Sequence, residues 1–330
     1  MTNDTMRAWR SKVKGLSGLE LGEMACPQPK AGELLVRVEA AALNYSDILM
    51  AGDRYQVRPE RPFTAGQELA GRVIAAGPDT TFVPGDRIAS KVVYGAFADR
   101  AIVQDDMAMR VPPGLSMEEA AALPITYTTA MVALTESTTV DAGDTVLVLA
   151  AAGGTGLATV EVAKHYGAFV IAAAGGAEKC ALTLQHGADI AIDYRRAPLL
   201  DQVRAATTGR GVSVVVDMVG GDSTLDAIRL LSWMGRLLIV GFTSGEIPQI
   251  PANRLMLRRL SAIGVYWDYA HDREMIARVT ERLSELAASG AFRPHIGAVF
   301  AFEELPQALN ALGKRDTTGK VILKTAPGTE

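Results

Sequence analysis

Two cysteines, Cys26 and Cys180, are all this 330-residue chain contains. Two cannot build a disulfide framework or a multi-cysteine zinc site, so they read as unpaired thiols in a reducing compartment. Excess charge is also missing: 33 basic against 37 acidic residues leave −4, with no footprint for nucleic acid or an anionic membrane. The N-terminus MTNDTMRAWRSKVKG lacks the apolar core of a signal peptide, and no apolar run approaches the roughly 20 residues of a membrane span. Residues 1–5 read as an unstructured leader, and the protein as cytoplasmic. The chain has no internal repeat and no low-complexity tract.

What is present is a 48 % apolar, 21 % charged composition, ordinary for a packed core, on a length that suggests two domains. Up to about residue 125 the pattern is β. ELLVRVEAAAL (Glu33–Leu43), LAGRVIAAG (Leu69–Gly77), VPGDRIAS (Val83–Ser90) and GAFADRAIV (Gly95–Val103) are short strands separated by Gly and Pro, as in an antiparallel barrel-like unit. Ser116 and Glu119 have the spacing of a capping box that opens a helix. From Asp144 strands and helices alternate. The run DTVLVLA is apolar throughout, as a strand covered on both faces must be. Further strands are expected at 168–173, 190–192, 212–217, 237–240 and 261–266, giving a doubly wound parallel sheet. DREMIARVTERLSELAASG (Asp272–Gly290) reads as an amphipathic helix with a glycine past its end. The tail TTGKVILKT (Thr317–Thr325) returns to strand and is expected to pair back onto the first unit.

Between the first two strands of the second half lies AAAGGTG. Gly153, Gly154, Thr155 and Gly156 fit a turn in which backbone approaches a pyrophosphate and a helix N-terminus faces it. The spacing is not a strict GxGxxG, because Ala150 and Ala151 stand where one glycine is expected. An NAD site usually carries an acid about 20 residues beyond that turn, on the ribose hydroxyls. Here the region is AAAGG, Ala172–Gly176, followed by Glu178 and Lys179. A small uncharged pocket centred on Gly175, with Lys179 beside it, suits the 2′-phosphate of NADPH. Tyr194 and one arginine of DYRR (Asp193–Arg196) close the same pocket, or else Lys179 and Arg195 are solvated surface charges.

The pieces NYSD (Asn44–Asp47), RYQVRPERPFTAGQELAGRV (Arg54–Val73), VPGDR, LPITYTTA (Leu123–Ala130), AAGGTG, DMVGGD (Asp217–Asp222), GRLLIVGFTSGEIPQIPAN (Gly235–Asn253), GVYW (Gly264–Trp267) and TGKVIL recur in order along the whole chain. In this the chain resembles the zinc-independent quinone oxidoreductases of the medium-chain dehydrogenase/reductase superfamily. The resemblance implies an α/β fold: a Rossmann doubly wound sheet at 126–267, and a GroES-like β-barrel catalytic domain from residues 1–125 and 268–330, with a cleft between them. It implies NADPH as cofactor, a small quinone as acceptor, and a homodimer through the edge strand holding Ile263 and Gly264. An enone, enal or acyl-thioester C=C bond is the alternative acceptor, and a non-enzymatic NADPH-binding protein the alternative class.

Zinc-dependent relatives carry a cysteine near position 44 and a His-Glu pair in the next motif. Here Asn44 and Gln67-Glu68 stand there, so a metal-free site is expected. The four histidines, His165, His186, His271 and His295, fall in helices or loops outside these motifs, with solvated or capping roles expected for His165 and His186. The resemblance gives Asn44 and Tyr55 the catalytic positions. Asn44 holds the nicotinamide ribose or the substrate oxygen, while Tyr55 stacks on a flat ring or donates its hydroxyl. It gives cofactor contacts to Thr129, Gly241, Phe242, Ser244, Val265 and Tyr266, with Trp267 at the substrate mouth. Lys320 either reaches the cofactor phosphates or forms a salt bridge.

Overall fold

The computed structural model describes residues 5–325. Residues 1–4 of the expected leader lie outside them, while Thr5 already belongs to a strand, paired with Ala25. One compact unit runs to Ile125 and resumes at Thr280; the other is Thr126–Val279. The return to the first unit thus falls inside a helix, later than the 267/268 junction read from the sequence.

The first unit opens with β1 (Thr5–Ser11), β2 (Leu19–Ala25) and β3 (Glu33–Leu43), then a short helix α1 (Tyr45–Ala51). The strands β4 (Phe63–Thr64), β5 (Glu68–Ala76), β6 (Arg87–Lys91), β7 (Arg100–Gln104) and β8 (Ala108–Arg110) follow, and α2 (Met117–Ala121) begins at the expected capping box. Glu119 N–H donates to Ser116 Oγ at 3.1 Å, and Ser116 N–H to Glu119 Oε2 at 2.9 Å.

In the second unit, α3 (Thr126–Met131) precedes β9 (Thr145–Val148), α4 (Gly154–His165), β10 (Phe169–Ala174), α5 (Ala177–Gln185), β11 (Ile190–Asp193), α6 (Leu199–Ala206), β12 (Val212–Asp217), α7 (Gly221–Leu230), β13 (Leu231–Ile239), α8 (Ala252–Arg258) and β14 (Ser261–Gly264). Among the described residues the sheet order is β11-β10-β9-β12-β13-β14, all parallel. That is two βαβ halves diverging from β9, the arrangement that leaves a ligand crevice at the carboxyl ends of the central strands. Val146, Leu147 and Val148 of β9 are wholly buried, as are Val214, Val215 and Val216 of β12. The continuous apolar runs therefore do what two-sided cover demands.

The helix α9 (Tyr269–Ala288) crosses back, kinked at Asp272, where the sequence placed its start. β15 (Ile296–Ala301), α10 (Leu305–Gly313) and β16 (Lys320–Lys324) complete the first unit. β16 pairs antiparallel with β3, Val321 opposite Leu43, so the tail does pair back onto the first strands. The core of this unit is built from Leu34, Val36, Leu43, Leu69, Ile88, Phe97, Phe302 and Leu323 among others. No helix among the described residues is long and apolar enough to cross a membrane.

Candidate functional site

In the second unit β9 runs into a tight loop. Leu149 N–H bonds Val216 O and Ala151 N–H bonds Ala173 O, both at 3.0 Å, pinning the loop to its neighbours. Ala150, where a glycine was missing, takes the left-handed conformation at φ 50°. The chain makes the glycine turn with an alanine and carries the strain. Gly153 stands at the N-cap of α4 with no side chain capping the helix, so the cap leaves its first N–H groups to other partners. Gly156 packs helix on strand. A Cβ there would collide with the Ala150 carbonyl oxygen and lie 2.7 Å from the Ala151 backbone.

The second loop follows β10. A Cβ on Gly175 would lie 2.8 Å from Tyr194 Oη and 3.0 Å from Arg195 Nε. Tyr194 and Arg195 therefore lie directly against this glycine. The nearby acid Asp193 is tied to its own loop: its Oδ1 accepts from Gly176 N–H at 2.9 Å and Arg195 N–H at 3.0 Å. Those two backbone bonds hold its carboxyl below the usual range. Lys179 sits half-buried in the first turn of α5. Of the two arginines of DYRR, Arg195 is the cation that the structure puts against Gly175.

A third loop follows β13. Thr243 and Ser244 N–H groups bond Met218 O and Val219 O, and Gly241 N–H bonds Asp217 O, binding this loop to the turn after β12. That turn is organised by buried Asp217, which accepts from Val219 and Gly220 N–H and from the Thr224 hydroxyl. Sequence reading passed over Asp217, although its place at a strand end before Gly-Gly was a signal. The Ser244 hydroxyl accepts from Glu246 N–H at 3.2 Å, closing on its own loop. Gly241 and Phe242 lie in this loop, past the end of β13. Val265 N–H bonds Ile239 O, and Trp267 Nε1 donates to Thr129 Oγ1 at 3.1 Å, so Thr129 and the 265–267 segment are one cluster. Val265 and Tyr266 lie past the end of β14, which stops at Gly264 rather than running on to Tyr266. Val265 and Trp267 are buried, whereas Tyr266 is exposed.

His186 is the C-cap of α5, one of the two settings expected of it, but its side chain is not solvated. Its Nδ1 lies 2.5 Å from Glu161 Oε1, and Tyr127 Oη donates to Glu161 Oε2 at 2.6 Å. The three side chains tie α3, α4 and the end of α5 together. Burial, then the Glu161 charge, drives the Tyr127 pKa well above its ordinary value.

The first unit holds a buried charged cluster where β3 ends. Asn44 is the N-cap of α1, and its N–H donates to Asp47 Oδ2 at 2.7 Å. Asn44 Nδ2 donates to Glu68 Oε2 at 3.0 Å and to Ala42 O at 3.3 Å. Lys320 Nζ donates to Leu43 O at 3.0 Å, Asn44 Oδ1 at 2.7 Å and Glu68 Oε2 at 2.8 Å. Glu68 Oε1 accepts from Ile125 N–H at 2.6 Å. An ammonium has three N–H groups, and all three are spent here. Of the two roles open to Lys320, the structure has the salt bridge, and no donor is left over for a phosphate. Tyr55 lies half-buried in the irregular stretch after α1, its carbonyl accepting from Arg58.

Asp47 is enclosed, with Oδ1 lacking a hydrogen-bond partner. Burial lifts its pKa from 3.8 to about 7, helped by the Glu68 charge and opposed by the Asn44 N–H bond and the Lys320 charge. The folded chain thus holds this proton more tightly than the unfolded chain. The stability that follows is full below the unfolded value and is lost as pH rises through about 7. Asp47→Asn keeps an oxygen for the capping bond and removes the titration. Between pH 5 and 8 the parent should lose stability relative to this variant, by at most about 1.4 kcal/mol per pH unit. Urea unfolding of both across that range checks it; parallel curves would refute it.

Sequence comparison matches residues 154–285 to a family described as "Zinc-binding dehydrogenase" and residues 30–113 to one described as "Alcohol dehydrogenase GroES-like domain". Quinone oxidoreductase-like protein 2 of Bos taurus is 40 % identical over 306 residues, covering 91 % of this chain and 88 % of that protein. A mycobacterial protein solved in complex with NADPH superposes with a TM-score of 0.88 at 31 % identity, over 97 % of this chain and 99 % of that one. Escherichia coli quinone oxidoreductase complexed with NADPH gives 0.88 at 26 % identity, over 97 % and 100 %.

The zinc in the first description does not fit the residues present. Asn44 and Gln67 offer amides, Glu68 is already paired with Lys320, and the described residues hold no group of three His, Cys, Asp or Glu side chains able to take a metal.

Proposed function

The chain belongs to the quinone oxidoreductase family of the medium-chain dehydrogenase/reductase superfamily, and from that premise we propose that it binds NADPH and reduces a small quinone without a metal. The observation that carries the cofactor assignment is the loop at Gly175. Tyr194 and Arg195 lie against it, and Oδ1 of Asp193, the acid at the end of the next strand, is taken by backbone N–H groups. A 2′-phosphate there meets a guanidinium and, from α5, Lys179.

NADPH, when bound, supplies the hydride; the protein supplies position, charge and a dry site. The open N-terminus of α4, at Gly153, Gly154, Thr155 and Gly156, holds the pyrophosphate. Gly241, Phe242, Ser244, Val265, Tyr266 and Thr129 serve the nicotinamide end. The Thr129 hydroxyl accepts from Trp267 and keeps its own proton to donate. Asn44 meets the nicotinamide ribose or the substrate oxygen, and Tyr55 stacks on the acceptor ring. In this reading the enzyme is cytoplasmic and a homodimer joined through β14, the exposed edge of the parallel sheet.

Lys179→Ala and Arg195→Ala should each weaken NADPH about tenfold or more while leaving NADH nearly unchanged, since a charge-assisted bond is worth about 1.5–3 kcal/mol. Equal losses for both nucleotides would overturn the 2′-phosphate assignment. A steady-state panel of benzoquinones, naphthoquinones, enals and an enoyl thioester tests the acceptor. A thioester preferred by orders of magnitude in kcat/KM would replace the quinone reading, and tight NADPH binding without turnover would replace the enzyme reading.

A further inference from the structure

We propose that Lys320 is a positioning residue whose buried ammonium locks the side-chain amide of Asn44, so that the amide meets a ligand as a hydrogen-bond acceptor. The proposal rests on the reading that Asn44 meets the nicotinamide half of NADPH. It decides between the two roles that reading left open, ribose hydroxyl or substrate carbonyl.

The argument is one of donors and acceptors. An ammonium only donates, so the atom of Asn44 that faces Lys320 at 2.7 Å must be the carbonyl oxygen. A carboxylate and a peptide carbonyl only accept, so the atom facing Glu68 and Ala42 must be the NH₂ group. The two assignments agree, and a flipped amide would oppose NH₂ to ammonium and oxygen to carboxylate at once. Both Nδ2 protons are consumed inside the cluster. Oδ1 keeps one lone pair, and Asn44 is 9 % exposed, nearly but not wholly enclosed. An amide held this way takes a hydroxyl. It has no proton left for a quinone oxygen, so the donor for that oxygen must come from elsewhere.

Placement follows from the sheet. β16 lies against β3 in the register Val321 opposite Leu43, which sets Lys320 beside Asn44 across the ladder. Glu68, at the start of β5 and fully buried, anchors the far side through Oε1 and the Ile125 N–H. A buried ion pair is weak support for stability by itself, and a register or orienting role is its better-attested use.

The test uses the full-length protein and two probes: NADPH, and adenosine 2′,5′-bisphosphate, which lacks the nicotinamide ribose. Lys320→Met combined with Glu68→Gln removes both charges, so no carboxylate is stranded, and frees the amide to rotate. Its NADPH affinity should fall about tenfold, the scale of one lost hydrogen bond to an oriented group, with bisphosphate affinity unchanged. Lys320→Gln, which keeps one amide donor beside Asn44 Oδ1 but leaves Glu68 unpaired, should show the same selective loss at about threefold. Asn44→Ala is the reference. If it weakens NADPH selectively while both Lys320 variants leave the two probes alone, or weaken both probes equally, the positioning role is overturned. If Asn44→Ala itself leaves the ratio unchanged, the nicotinamide assignment of Asn44 falls first, and the proposal with it.

Discussion

Gly156→Ala should destabilise the second unit by about 2–3 kcal/mol or more and abolish measurable NADPH binding. The added methyl would strike the Ala150 carbonyl oxygen and the Ala151 backbone, which are main-chain atoms with no rotamer to escape into. Ala150 is already left-handed and tied through its neighbours to β12 and β10, so the loop has little room to yield. Either α4 lifts off the strand or the loop opens, and both displace the N–H groups that face the pyrophosphate. Gly153→Ala is the control three residues earlier. Its Cβ would meet nothing closer than Ala150 O at 3.5 Å, an ordinary contact, and its φ of −82° suits any residue. It should fold as the parent does and change NADPH affinity only modestly. Thermal unfolding and fluorescence titration of the pair measure the difference; equal behaviour would show that glycine here serves turn flexibility rather than close packing.

The contrast also marks what could be read from sequence. Local devices were legible because their partners lie within a few residues: the Ser116–Glu119 box, the apolar run of β9, the glycine turn. The missing first glycine looked like a defect. In three dimensions Ala150 simply adopts the glycine conformation, so the irregular motif hides a regular turn. Arg195 was not separable from Arg196 until Gly175 showed which side chain it receives. The chain of Tyr127, Glu161 and His186 links three helices and has no periodic signature, so only a solvated or capping role was legible for His186. Lys320 and Glu68 are 252 residues apart, and no spacing rule joins them. The late return to the first unit was missed because α9 is continuous across it, and composition does not change within a helix.

Glu68→Ala is expected to be among the most damaging single changes in the first unit, costing about 3–5 kcal/mol. It strands the Lys320 ammonium in a site where both side chains are sealed, 4 % and 0 % exposed, and it orphans the Ile125 N–H. The loss is therefore mainly the penalty of an uncompensated buried charge, and it should be recoverable by removing that charge as well. Glu68→Gln and Lys320→Met should each be clearly destabilising, and the double variant should be less so than their sum, by about 1–3 kcal/mol of coupling in urea unfolding. Strict additivity would sink the idea of a coupled pair. Asp47 offers an independent reading of the same charges. Glu68 raises its pKa and Lys320 lowers it. The pH window in which stability falls must then move down in Glu68→Gln and up in Lys320→Met, opposite shifts from two neutralising changes. A cluster held only by packing would move the two windows together or not at all.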